Sequence, residues 1–243
     1  MKKYFTLLLI IVVLPALSLL YYTVEVAEPV DRVFLSISTF LYSIFTGFFI
    51  SRQASRFNKV RETVTKFDGL MSNLYRTSGH VSSKLQEDIG QVINGHYDKI
   101  FKTKRWDYHF ENKSTTLSSI HKLLDEHVKD DEVTKLSNQS IGAMVKGLGT
   151  AQDVRKSMLA LNRERVPFEQ WILIMFFAAM LIGTVSTMAS VGMWWPAVLK
   201  AAFVVSVVSV LYILYRLNNL AFTEDLMGSE SAQDVLDIVA GVK

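Results

Sequence analysis

Four long apolar blocks constrain the fold of this chain more than any other feature. They cover residues 5–22, 33–50, 171–190 and 197–215. Each is close to the length that an α-helix rising ~1.5 Å per residue needs to cross a ~30 Å hydrocarbon layer. Lys200 is the single charged residue in the four blocks and lies near the start of its block, so we expect its ammonium group to reach outward. The pattern predicts an all-α membrane protein with four transmembrane helices in two pairs.

The first block has a second interpretation. Lys2 and Lys3 precede an apolar run, as in a secretory signal peptide that is removed after export. The run is longer than the usual core of a signal peptide, and a second apolar block follows almost at once. We therefore favour a retained transmembrane helix over a cleaved signal.

The distribution of charge predicts the orientation of the four helices. Lys and Arg outnumber Asp and Glu between the second and third blocks, whereas the short loop at 23–32 carries Glu25, Glu28 and Asp31. Because cytoplasmic loops are enriched in Lys and Arg, both termini and the long middle segment are expected in the cytoplasm. The predicted domains are transmembrane helices 1 and 2 (1–50), a cytoplasmic region (51–168), helices 3 and 4 (169–217) and a cytoplasmic tail (218–243).

Residues that favour the membrane interface flank the blocks. Trp194 and Trp195 follow a glycine in the turn between the last two blocks, and such amphipathic rings settle at the headgroup level. Arg52 and Arg56 directly follow the second block. We expect the tryptophans at the outer interface and the arginines at the inner one.

The middle segment has the spacing of helices. Apolar residues recur at steps of three and four from 52 to 76, and nothing near residue 50 breaks a helix, so the second span should continue as one rod up to Gly79. Further helices are predicted at about 80–101, after the hydroxyl residues 114–116, and from about 133 until Pro167 ends the last one. We find no alternation typical of strands.

Several chemistries lack the residues they need. The chain has no cysteine, which excludes disulfides and thiolate sites, and it contains no phosphate loop, GxSxG or HExxH motif. The five histidines form no close metal-binding pair, and the acidic run at 125–132 lacks the spacing of an EF-hand. Basic residues alternate with acidic ones, and the net charge is only +3. We predict no enzyme, cofactor, metal site or nucleic-acid partner.

The second block carries two adjacent faces of different character. One face has Ser36 followed, at steps of four, by three apolar residues: Phe40, Ile44 and Phe48. The neighbouring strip has small residues that let membrane helices approach closely: Thr39, Ser43, Thr46 and Gly47. A ring of such helices could pack on the small residues and direct the apolar ones at a central pore. The alternative is that the apolar residues face lipid or neighbouring helices.

Stretches in order along the chain resemble the bestrophins, and more closely the bacterial bestrophin-like membrane proteins of unassigned function. In the second block, Gly47-Phe48 is followed at matching offsets by Ser55-Arg56-Phe57 and Arg61. Three other stretches are similar to family segments: RVPF before the third block (165–168), GMWWP between the last blocks (192–196), and the segment after the fourth block (219–225 and 234–236).

The resemblance implies a homopentameric ion channel, with five second helices lining a narrow neck. The three apolar neck positions of the family fall on Phe40, Ile44 and Phe48, and Ser36, Ser43 and Gly47 would pack beside them. Its partners would be its own copies, the lipid bilayer and inorganic ions, and its location the bacterial inner membrane. The resemblance shifts our preference from lipid-facing residues to a pore.

The sequence also departs from the family. The calcium clasp of the family lies beyond the fourth span, where Glu224-Asp225 alone cannot supply six or more oxygen ligands, so we predict no calcium gating. The tryptophan pair at the helix exit is replaced by Phe57-Asn58. Selectivity does not transfer: the basic middle segment favours anions such as chloride, and the acidic outer loop favours cations. We favour anions. The alternative function is a non-conducting membrane scaffold or sensor whose cytoplasmic helices bind a partner.

Overall fold

The computed structural model describes residues 12–24, 32–111, 115–130, 135–188, 191–220 and 228–242. These residues form helices and no strand, which confirms the all-helical prediction. The helices are α1 (Leu14–Thr23), α2 (Arg32–Ser78), α3 (Ser83–Thr103), α4 (Tyr108–Glu111), α5 (Thr116–Asp130), α6 (Lys135–Arg163), α7 (Phe168–Ser186), α8 (Trp194–Asn218) and α9 (Ser229–Val239).

The chain divides into two compact units that are not continuous in sequence. The first unit is Met1–Phe57 with Arg165–Glu224, and the second is Asn58–Glu164 with Asp225–Lys243. Helix α2 contributes to both, because it runs without a break from Arg32 to Ser78. This continuity is the one that the sequence predicted for the second span.

Three described helices are long and apolar enough to cross a membrane, namely α2, α7 and α8. They contain the second, third and fourth apolar blocks. The first block lies partly outside the described residues, and its described part forms α1, which has 10 residues. The four-span arrangement therefore stays a prediction, whereas the apolar helices of the other three blocks are present.

In the first unit, α1 packs closely on α8. Tyr21 of α1 is buried against Ala197, Ala201 and Val204, and its phenol oxygen lies 2.8 Å from Oγ of Ser186 in α7. The alanines have almost no side chain, which lets the two helix backbones come close together. The described part of the first block is thus an integral element of this unit.

Lys200 does not extend outward as the sequence suggested. Its side chain is buried, and its Nζ donates hydrogen bonds to the carbonyl oxygens of Ser186 and Met188, at 3.0 and 2.5 Å. The ammonium group also lies 4.6 Å from the ring centroid of Tyr21. The last carbonyl groups of a helix have no partner within the helix and carry its negative dipole end, so a cation is stabilised there.

The helix boundaries follow from local chemistry, with one difference from the prediction. Helix α2 ends directly before Gly79, and α3 begins after Ser82, whose Oγ accepts a hydrogen bond from the Leu85 N–H at 3.0 Å. Pro167 does not end α6, which already stops at Arg163; it is instead the N-cap of α7. Proline suits that position because it supplies a fixed φ angle where no helical N–H bond is needed.

The second unit has its own core, built around α3. Four helices, α2, α3, α5 and α6, contribute almost completely buried apolar side chains to it: Val60, Met71, Leu74, Leu85, Ile89, Ile93, Ile120, Leu124 and Met144. Helix α9 joins this unit through the phenol group of Tyr75, which donates to the carbonyl oxygen of Val239 at 3.2 Å. Gly228 is the N-cap of α9 and has a φ of +75°, a backbone conformation that residues other than glycine rarely adopt.

Candidate functional site

The first half of α2 exposes a continuous apolar face within the single chain. Phe40, Ile44 and Phe48 leave 65, 51 and 60% of their surface uncovered, although the opposite side of the same helix is buried. The face begins further out with Val33, Phe34 and Ile37, which are exposed as well. The three residues that the sequence grouped by helical spacing therefore lie together on an unpartnered surface.

The small residues of this segment divide between two sides of the helix. Ser36, Ser43 and Gly47 are exposed on the same side as the apolar face. Thr46 is instead buried and donates a hydrogen bond to the carbonyl oxygen of Tyr42 at 2.6 Å. A Cβ atom added at Gly47 would meet nothing within 4 Å, so packing inside the chain does not require glycine there.

The buried side of α2 fixes which face is exposed. Tyr42 packs with Ala178, Leu181 and Val207, and its hydroxyl group donates to the Val207 carbonyl oxygen at 3.1 Å. About two helical turns further on, Phe49 packs in a separate cluster with Val166, Ile174 and Leu214. Because these two contacts anchor α2 to α7 and α8, the helix cannot rotate about its axis without leaving buried groups uncovered.

The two arginines after the second block have different environments. Arg52 is exposed, whereas only 3% of the surface of Arg56 is exposed. Arg56 donates hydrogen bonds to Oε1 of Gln53 at 3.0 Å and to the carbonyl oxygen of Asn218 at 2.9 Å. The side-chain oxygen of Asn218 accepts a further bond from the Val166 N–H at 2.7 Å. Arg56 thus belongs to a polar network that joins α2, the end of α8 and the segment before α7.

The tryptophans of the GMWWP turn are exposed at the start of α8. Trp194 and Trp195 leave 55 and 75% of their surface uncovered. The ring of Trp194 contacts that of Tyr22 edge to face, with centroids 5.9 Å apart. Exposed aromatic rings at a helix end are typical of the membrane interface. No contact within the chain tests this position, so the placement of the two tryptophans at the interface stays a prediction.

A family model for the bestrophin-like domain matches residues 6–221, which is most of the chain. The chain belongs to the bestrophin-like family. No curated protein and no solved structure matches it. The family assignment confirms the resemblance that the four stretches of the sequence indicated.

Membership in the bestrophin-like family, together with the apolar helices, indicates an integral membrane protein. Members of the bestrophin family are typically ion channels rather than enzymes. The matched residues include α1 to α8 and end before α9. The exposed face of α2 is thus the candidate site of this bestrophin-like chain, and α9 is an addition outside the matched domain.

The second unit of the bestrophin-like chain holds a buried polar cluster that the sequence did not reveal. Asp68, only 3% exposed, accepts hydrogen bonds from the Tyr97 hydroxyl at 2.6 Å and from the Ser231 hydroxyl at 2.5 Å. The three residues come from α2, α3 and α9. Two hydroxyl donors compensate a buried carboxyl group for the water it loses, so the cluster fixes α9 to its own unit.

Two histidines of the second unit are stacked in its interior. The rings of His96 and His109 lie parallel with centroids 3.8 Å apart, and Nδ1 of His96 lies 2.9 Å from Oγ1 of Thr116. Burial, the largest cause, lowers the pKa of His96, and the Coulombic effects of His109, when protonated, and of the cations Arg155 and Lys99 lower it further, from 6.5 to about 3 in total. Both rings are therefore neutral near pH 7, since burial also lowers the pKa of His109.

Some predicted sites lie outside the part of the chain that the structure describes. Glu224-Asp225, the remnant of the family calcium clasp, belongs to them, as do the acidic residues of the outer loop and part of the acidic run at 125–132. Within the described residues, no group of three or more His, Asp or Glu side chains could hold a metal ion.

Proposed function

We propose that this protein is an oligomeric ion channel whose pore is lined by the first half of α2. In this proposal Phe40, Ile44 and Phe48 form the apolar neck. The observation that carries it is the exposure of all three side chains on a helix whose opposite side is anchored by Tyr42 and Phe49. The family, whose members are typically ion channels, supports the same function.

The composition of the exposed face favours contact with other protein or water over contact with lipid alone. Ser36 and Ser43 place hydroxyl groups between the large apolar side chains, and Gly47 leaves a gap beside Phe48. Small residues are common where membrane helices approach each other closely. Since none of the described residues lies within 4 Å of a Cβ atom placed at Gly47, we propose that the neighbouring helix there comes from another copy.

A ring of copies would place the three apolar residues around a common axis. Apolar constrictions stop ion flow by excluding water, and they conduct once the ring widens enough to become wet. We propose a homopentamer in the bacterial inner membrane, with both termini and the second unit in the cytoplasm. The excess of Lys and Arg over Asp and Glu between residues 51 and 168 leads us to propose anions such as chloride as the permeant ions.

The test compares two triple variants in planar lipid bilayers. Replacing Phe40, Ile44 and Phe48 by alanine should widen and hydrate the neck and raise the open probability at least severalfold. The matched control replaces Ile172, Met175 and Phe176 by alanine, because these residues are similarly exposed but belong to α7. The control should conduct like the parent protein.

Unchanged conductance in the α2 triple variant would show that the neck lies elsewhere. Native mass spectrometry of the purified protein gives the number of subunits independently. Five copies support the proposal, whereas a non-conducting monomer or dimer would favour the scaffold that the sequence left open as an alternative.

A further inference from the structure

A cavity with a volume of about 40 Å³ lies inside the second unit. Helices α2, α3, α4, α5, α6 and α9 all contribute to its wall. The wall is mainly apolar and includes Val64, Phe67, Ile100, Leu117, Met158 and Ala232. One water molecule needs about 10–15 Å³ of such space, so the cavity has room for about three waters or for one small organic molecule.

Most of the polar side chains in this wall are engaged with other groups of the same unit. Each of the two carboxyl oxygens of Asp68 accepts a hydrogen bond from a hydroxyl group, one from Tyr97 and one from Ser231. Nε2 of His109 lies 2.9 Å from the carbonyl oxygen of His96. These groups therefore have partners within the protein and do not need a ligand to supply them.

Arg155 of α6 is the exception in the cavity wall. Its Nε atom is buried and has no hydrogen-bond acceptor among the residues that the structure describes. Burial is the main cause of the lowered pKa of His96 and of His109, and the positive charge of Arg155 contributes to both. The charge of Arg155 thus acts on two other residues of the same wall. A buried donor without an acceptor is unfavourable, so a ligand that supplies the acceptor would be stabilised here.

We propose that this cavity binds a short aliphatic monocarboxylate, whose carboxylate group accepts a hydrogen bond from Arg155 and whose alkyl tail lies against the apolar wall. A guanidinium group and a carboxylate group match in both charge and planar geometry. The proposal does not depend on the channel function, because every residue of the wall belongs to the second unit.

The composition of the wall favours this ligand class over two others. An amine would need a carboxylate with a free oxygen, but both oxygens of Asp68 already accept from hydroxyl groups. An inorganic anion would exchange its hydration shell for a mostly apolar surface, which costs free energy. A carboxylate with an alkyl tail instead offers its charge to Arg155 and apolar surface to the rest of the wall. The small volume limits the tail to a few carbon atoms.

The experiment titrates sodium propionate into the full-length protein in detergent at pH 7.5 and measures the dissociation constant by isothermal titration calorimetry. Arg155→Gln should weaken binding at least about tenfold, because it removes the charged donor. The matched control is Arg163→Gln, which removes the same charge from an exposed position of the same helix. This control should leave the dissociation constant within about twofold of the parent value.

A second variant and a second ligand test the place and the charge of the bound molecule. Ala232→Val adds two carbon atoms to the cavity wall and leaves Arg155 unchanged, so it should weaken propionate binding at least about threefold. Propionamide has nearly the same shape as propionate without the charge and should bind at least about tenfold more weakly. Circular dichroism checks that each variant is folded. If Arg155→Gln does not fold, Ala232→Val and propionamide decide the question.

Four results would overturn the proposal. The first is that the parent protein shows no saturable binding of propionate. The second is that folded Arg155→Gln or Ala232→Val binds propionate as tightly as the parent does. The third is that propionamide binds as well as propionate, which would make the cavity a purely apolar one. The fourth is that chloride at the same concentration displaces propionate completely, which would indicate a site for inorganic anions.

Discussion

The apolar residues in the two halves of α2 differ in how much of their surface is exposed. In the first half, Phe40 and Phe48 leave 65 and 60% of their surface uncovered. In the second half, Val60 and Met71 are completely buried and Leu74 is 1% exposed. A single uninterrupted helix thus combines a face that its own chain covers with a face that its own chain leaves open.

The difference shows that helical periodicity identifies which residues share a face but not what covers that face. Both halves show apolar residues at steps of three and four, and each step pattern marks one helix face. In the second half this face is covered by helices of the same unit, as in a water-soluble helical domain. In the first half, the side that the chain covers also carries polar groups, such as those of Tyr42 and Thr46. The exposed side is the more apolar of the two. An exposed apolar face of this kind suits contact with lipid or with another copy of the chain.

Alanine substitutions should reproduce this contrast most clearly. Met71→Ala removes a fully buried side chain and should lower the free energy of unfolding by about 2–5 kcal/mol, because it leaves a cavity. Ile44→Ala removes a side chain that the chain does not cover and should change that free energy by less than about 0.5 kcal/mol. Chemical denaturation in detergent, followed by circular dichroism, measures both. An equally large loss for Ile44→Ala would mean that its face is tightly packed in the assembly.

The two arginines provide a second contrast of intermediate size. Arg56→Gln withdraws the donor that reaches the Asn218 carbonyl oxygen and should cost about 1–3 kcal/mol, since this buried acceptor loses its partner. Arg52→Gln changes an exposed residue one turn earlier and should cost less than about 0.5 kcal/mol. Thermal unfolding of the purified variants compares them directly. Equal losses would contradict the separation of a buried arginine from an exposed one.

The smallest effect concerns pH and the second unit. The folded pKa of His96 is about 3 and its ordinary value is 6.5, so below pH 6.5 the unfolded chain takes up a proton that the folded chain does not. This linkage makes stability fall as pH decreases, by about 1.4 kcal/mol between neutral pH and pH 5.5 from His96 alone. His109 acts in the same direction, because its pKa is lowered too.

The control for the pH effect is His96→Gln, whose amide does not titrate and can still bond to Thr116. The unfolding free energy of this variant should decrease less steeply with acid than that of the parent. The measurement is the difference between the two stability profiles from pH 7.5 to 5.5. Parallel profiles would show that His96 is already protonated in the folded protein or lies in water.

Local signals predicted the elements of the fold and the grouping of the candidate site. Gly79 correctly marked the end of α2, and a spacing of four placed Phe40, Ile44 and Phe48 on one face of it. The small residues were predicted less well. Thr46 shares their strip in a projection of the helix, but its hydroxyl group is satisfied by the Tyr42 carbonyl oxygen on the buried side. Periodicity defines relative angles around a helix and not which side the neighbours cover.

Contacts between distant residues could not be predicted from spacing. Arg56 is held by Asn218, 162 residues away, and helical spacing does not reveal that Arg56 is buried and Arg52 exposed. Lys200 was expected to reach water and instead donates to the carbonyl oxygens of Ser186, the last residue of α7, and of Met188 just beyond it. His96 and His109 looked like isolated residues because α3 ends between them, and only the folded chain stacks their rings.

By itself the sequence determined that the chain is helical, that three of its described helices are apolar enough to enter a membrane, and that Phe40, Ile44 and Phe48 share one face of the second of the four apolar blocks. These properties depend on residue type and helical period, which are local. The tertiary structure decided which side of α2 is covered, which arginine is buried and which is exposed. Those properties depend on what packs against each residue, and the packing partners come from segments more than one hundred residues away.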